Sequence, residues 1–119
     1  MIEYENNKLI VNGKITRTFQ FAIRDLIEVD EECVVLLEIP FDSLEKNNII
    51  RLDCRGIVVW TIANSGYSKL TYPFEQMILR DGWLYATDFY ARRCKIDIRS
   101  GKIVDVSTFN SHLKLFVER

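Results

Sequence analysis

The sequence predicts an all-β fold: an antiparallel meander of about 8–10 short strands forming a curved sheet or two-layer sandwich. Three observations carry this. Apolar residues recur in short runs rich in Val and Ile, and no stretch keeps the helical period. Turn signals punctuate the chain at Asn12-Gly13, Asp53 to Gly56, Asp81-Gly82 and Asp97 to Gly101. A near-repeat also runs through the chain. IEVDEECVVLLEI…NNIIRLDCRGIVVW (27–60) matches ILRDGWLYATDF…ARRCKIDIRSGKIVDV (78–106), with Asp30 against Asp81, Asp53 against Asp97 and Gly56 against Gly101.

Taken in order, Lys8 to Val11 and Lys14 to Thr18 flank Asn12-Gly13. Both turn residues tolerate the positive φ of a tight hairpin. Ile23 to Val29 predicts a third strand and Cys33 to Ile39 a fourth. The near-continuous apolar run of the fourth (CVVLLEI) predicts a central strand covered on both faces. Pro40 ends it, because proline donates nothing to a ladder, and a polar loop follows to Asn48. Ile49 to Asp53 and Ile57 to Ala63 form the next hairpin, followed by a longer loop from Asn64 to Pro73. Phe74 to Leu79 pairs with Trp83 to Phe89, and Cys94 to Ile98 with Lys102 to Val106. His112 to Val117 alternates weakly and reads equally as an edge strand or a short helix. Each repeat is thus a four-stranded meander, similar to one blade of a quinoprotein-type β-propeller. Two blades are too few to close a propeller, which takes about four or more. Nothing marks a boundary, so residues 1–119 are read as one domain.

Composition narrows the function classes. The chain has 119 residues, 48% hydrophobic and 28% charged, with a net charge of -1. That suits a packed core and argues against direct nucleic-acid binding, which favours a basic excess. Cys33, Cys54 and Cys94 form no CxxC and show no metal-ligand spacing. An odd set of free thiols, with no secretory leader and no long apolar run, predicts a cytoplasmic protein without a membrane span. The five glycines are scattered, so no phosphate loop is present, and the lone His112 has no catalytic partner motif. The expectation is a protein that is not an enzyme and needs no cofactor or metal. A buried carboxylate pair in a cleft would be the sign of the opposite.

Two features point to partner binding. The stretch from Asp25 to Glu45 holds eight acids and no Lys or Arg. Within it, Asp30, Glu31, Glu32, Asp42 and Glu45 are the expected steering residues for a basic partner. Trp60, Trp83, Phe74, Phe89, Phe19 and Phe21 fit core positions, whereas Tyr67, Tyr72 and Tyr90 lie in or beside loops, where tyrosines often anchor interfaces.

The run NNIIRLDCRGIVVWTI (47–62), followed by YPFEQMILRDGWLYATDFYARRCKIDIRSGKIVD (72–105), resembles a group of small bacterial immunity proteins. These accompany polymorphic toxins, including those of contact-dependent growth inhibition. Asn48, Asp53, Gly56, Trp60, Asp81, Gly82, Leu84, Ile96, Asp97, Gly101, Lys102 and Ile103 match the pattern, and the opening hairpin Leu9–Lys14 fits it too. Most of these are turn and core positions, so they carry a fold and no site residues. The resemblance implies a protein that binds the C-terminal domain of a cognate toxin, such as a nuclease, and occludes its active site. The alternative is a non-enzymatic β-domain that binds another protein or a small ligand, unrelated to toxins. A defined apolar pocket with convergent polar groups would favour that alternative.

Overall fold

A computed structural model gives the architecture, described here for residues 1–40, 42–62 and 73–107. Eleven strands are present among these residues. Sheet 1 contains β1 (Ile2–Glu5), β2 (Lys8–Val11) and β3 (Lys14–Thr18). Sheet 2 contains β4 (Ile23–Val29), β5 (Glu32–Leu37), β6 (Ile49–Leu52) and β7 (Val58–Thr61). Sheet 3 contains β8 (Phe74–Arg80), β9 (Trp83–Asp88), β10 (Arg93–Asp97) and β11 (Ile103–Ser107). Each is an antiparallel meander in which sequence neighbours pair.

The turns form where short-range chemistry requires them. Asp30 and Glu31 (φ 50° and 66°) make the β4–β5 turn, and Asp81 and Gly82 (φ 53° and 79°) make its counterpart between β8 and β9. Asp53 Oδ1 accepts the backbone N–H of Arg55 and Ile57, at 2.9 and 3.0 Å, across the β6–β7 turn. Asp97 Oδ1 accepts Arg99 N–H at 2.9 Å across the β10–β11 turn. The repeat is therefore physical: sheets 2 and 3 are two copies of one unit, joined through residues 62–73.

Sheet 2 is the middle layer. Strand alternation turns Cys33, Val35, Leu37, Ile50 and Leu52 toward sheet 1, where Leu9 and Phe19 complete a core. The intervening Val34, Leu36, Ile49 and Trp60 face sheet 3 and pack on Phe74, Met77, Leu84, Ala86, Cys94 and Ile96. Every β5 residue from Cys33 to Leu37 is buried, so the strand expected to be covered on both faces is so covered. Covering both faces takes three layers. The third is sheet 1, in which β1 pairs with β2 and extends the opening hairpin.

Polar clamps fix the stacking. Asn48, fully buried, donates from Nδ2 to the carbonyls of Leu37 (3.0 Å) and Phe74 (2.7 Å), while its Oδ1 accepts Phe74 N–H at 3.0 Å. At the opposite end Arg51 donates to Glu32 Oε1 at 2.8 Å and to Ile98 O at 2.9 Å, and Trp60 Nε1 donates to the same carbonyl at 2.8 Å. Among the described residues no helix is long and apolar enough to cross a membrane.

Candidate functional site

The meanders place their connections at two ends. The tight turns at 30–31, 53–57, 81–82 and 97–102 make one end of the stack. The β5–β6 segment (38–48) and the β9–β10 turn (88–92) make the other. The six residues of β5 separate the ends by about 20 Å at about 3.3 Å per residue.

The acidic stretch is divided between them. Asp30 and Glu31 lie exposed at the turn end, beside Glu28, whose carboxylate accepts Ile2 N–H at 3.2 Å. Glu28 and Glu31 also line a hollow of about 470 Å³ between sheets 1 and 2, together with Met1, Ile2, Asn12 and Cys54. Glu32 is at this end too, but its carboxylate is committed to the buried Arg51 guanidinium. It holds sheets 2 and 3 together, so a steering role does not suit it. Asp42 and Glu45 lie at the loop end, both exposed. There Glu45 Oε1 accepts Asn47 N–H at 2.8 Å, which shapes the segment.

The aromatic anchors sort differently from expectation. Tyr90 is at the loop end and 58% exposed. Tyr67, Tyr72 and His112 lie outside the described residues, as does the 112–117 segment. Phe89, read from sequence as a core residue, is 62% exposed, because β9 ends at Asp88 and the chain turns outward there. Its ring meets Tyr90 edge-on at 5.4 Å. Asp88 builds this display. It is buried, its Oδ1 accepts the N–H of Tyr90 and Arg92 at 3.0 Å each, and its Oδ2 takes Arg92 Nε at 2.9 Å. A buried carboxylate holding three donors makes a stiff turn, so the two rings are presented at low entropic cost. Sequence reasoning missed Asp88. The Asp53–Gly56 spacing recurs as Asp88–Ala91, but alanine at the turn gives no sequence sign of the positive φ (62°) that the structure shows there.

Leu44, 99% exposed, adds an aliphatic side chain to the loop end. Arg24 of β4 spans the seam between sheets 2 and 3 beneath it, paired with Glu75 of β8 and with Glu38 at 3.0 Å. The Glu75 carboxylate, and then Glu38, hold the guanidinium above its ordinary pKa against the opposing effect of burial. The loop end therefore combines Leu44, Phe89 and Tyr90 with the exposed carboxylates of Asp42 and Glu45, while Glu38 and Glu75 are committed to Arg24. Apolar anchors within an acidic rim suit a basic protein surface.

The thiols divide by environment. Burial pushes Cys33 and Cys94 up to about 11, so both stay protonated at neutral pH, whereas Cys54 is exposed. A second hollow, of about 500 Å³, lies on the outer face of sheet 3 along Gln76, Ile78, Arg80, Tyr85, Thr87 and Arg93.

A family model described as a domain of unknown function (DUF7957) matches residues 1–108. The search for curated relatives finds no match.

Proposed function

The chain belongs to the DUF7957 family, and from that premise and the loop-end geometry we propose a protein-binding module acting as an immunity protein. It docks its loop end on the C-terminal domain of a cognate toxin and covers the toxin's active site. The supporting observation is the pairing of exposed Phe89 and Tyr90, held by the Asp88 turn, with Asp42 and Glu45 at the same end. The resemblance of residues 47–62 and 72–105 to immunity proteins supplies the toxin as partner. The acidic rim speeds encounter with a basic cleft such as a nuclease's, and the rings give the short-range affinity.

The test is co-purification with the product of the neighbouring reading frame, followed by assay of that product's toxicity with and without this chain. Tight binding with loss of toxicity is expected. Replacing Phe89 and Tyr90 together by Ala should weaken binding by about a hundredfold, chiefly through faster dissociation. Reversing Asp42 and Glu45 to Lys should slow association about tenfold and flatten its salt dependence. Binding that ignores both pairs of substitutions, or a neighbour with no toxic activity, overturns the reading.

A further inference from the structure

The three sheets stack by a rule that the chain applies twice. The last hairpin turn of each following sheet lies on the last strand of the sheet before it. A Cβ added at Gly56, in the β6–β7 turn, would come within 2.6 Å of Thr16 O on β3; at Gly101, in the β10–β11 turn, it would come within 2.4 Å of Trp60 Cδ2 on β7. Hydrogen bonds close both contacts: Arg17 Nη1 donates to Gly56 O at 3.0 Å, and Trp60 Nε1 to Ile98 O at 2.8 Å. On the opposite edge β1 lies beside β4, and β4 beside β8.

A stack built this way has a head and a tail. At the head, the corresponding glycine of sheet 1 is Gly13 in the β2–β3 turn, and its Cβ direction meets nothing within 4 Å. At the tail, β11 ends sheet 3 with Val104 53% exposed. We infer that a second copy of this chain occupies both sites: sheet 1 of each copy stacks on the outer face of sheet 3 of the other, closing a ring of six sheets.

Three features support this occupant. The contact continues a packing rule already used twice within the chain. The exposed surfaces match in character, with an apolar row on each: Ile10 beside Ile15 on sheet 1, and Ile78 beside Tyr85 on sheet 3. The strand faces differ in charge: Glu3 and Glu5 outnumber Lys8 on sheet 1, apart from Lys14 beside the Gly13 turn, while Arg80, Arg93 and Lys95 outnumber Asp97 and Asp105 on sheet 3. Head-to-tail contacts form closed rings when the rotation permits, and stacked four-stranded blades close at about four to eight. Three sheets per chain make two copies the smallest assembly in that range. The contact leaves the loop end exposed, so it stands independently of the proposed function.

Light scattering over a dilution series tests it. The wild type is expected at twice the 14.0 kDa chain mass. A tail variant (Arg93→Glu with Lys95→Glu) and a head variant (Glu3→Lys with Glu5→Lys) should each be monomeric, with dimer affinity at least about tenfold weakened. Mixing the two should restore a dimer, because one interface is then wild type and the other has both charges reversed. Circular dichroism shows that each variant is folded. The Phe89→Ala, Tyr90→Ala chain should dimerise normally even where toxin binding is lost. A wild-type monomer, dimers that persist in either variant alone, or an open ladder of larger species overturns the inference.

Discussion

The forward face of sheet 2 and the outer face of sheet 3 are the same positions of one repeat in different surroundings. Ile27, Val34, Leu36, Ile49 and Arg51 of sheet 2 correspond to Ile78, Tyr85, Thr87, Arg93 and Lys95 of sheet 3. On sheet 2 the next sheet covers them, and Val34, Leu36 and Ile49 are at most 1% exposed. On sheet 3 Ile78 is 48% exposed, and Arg93 and Lys95 lie over the rings of Tyr85 and Trp83. The backward faces do not diverge in this way. Val35, Ile50 and Leu52 match Ala86, Cys94 and Ile96, all apolar and all buried against the preceding sheet. A repeat thus preserves turn chemistry and the face that always has a neighbour, while the other face follows what covers it.

The largest effect should come from the clamp that holds the covered face shut. Asn48→Ala removes the side-chain partner of Phe74 O and Phe74 N inside the core and one of the two donors on Leu37 O, which keeps the Ile39 N–H. At about 1–3 kcal/mol per buried orphaned group, partly relaxed, the expected loss is about 4 kcal/mol, read as a lower urea midpoint.

The comparison is sharper at paired positions. Leu36→Ala empties core volume and should cost about 3 kcal/mol, whereas Thr87→Ala at the equivalent site of sheet 3 should stay within about 0.5 kcal/mol. Equal costs in urea unfolding would mean that the outer face is as well packed as the inner one.

A smaller contrast separates Gly101 from Gly13. Both have positive φ, near 75° and 82°. Alanine at Gly13 meets open space, so it should cost only the backbone strain of about 1–2 kcal/mol. Alanine at Gly101 adds a collision with Trp60 and should cost about 1–3 kcal/mol more, with a change in tryptophan fluorescence.

The smallest effect is one of pH at the turn end. The Asp53 carboxylate is held below the ordinary Asp value, first by the Ile57 N–H and also by Arg55. A depressed folded-state pKa contributes stability above the unfolded value, and that contribution fades as pH falls through the folded one. The difference in urea midpoint between wild type and Asp53→Asn should therefore be constant at neutral pH. It should shrink once pH drops below about 3.9, the unfolded Asp value. A difference that grows on acidification would contradict this assignment.

Much of the fold was legible because it is local. The strands read at Lys8–Val11, Lys14–Thr18 and Ile23–Val29 lie where the structure has β2, β3 and β4. β1 was missed because Glu3 and Glu5 make the segment read as acidic and polar, and only its register against β2 shows that Ile2 and Tyr4 turn toward sheet 2. Phe89 was misplaced because apolar character cannot show where a strand stops. Glu32 was grouped with the steering acids because its partner, Arg51, lies 19 residues away. Asp30 and Asp42 were read as one surface although β5 holds them apart.

The sequence by itself determined the all-β class, the turn positions and the two repeated meanders. Those follow from φ preferences, short-range hydrogen bonds and the period-two alternation of strands, all set within a few residues. Only the tertiary structure decided that there are three layers, that the acids divide between two ends, and which face of the last sheet no other described strand covers. These depend on contacts between residues far apart in the chain, where equally apolar strands have no local signal telling them what they will face.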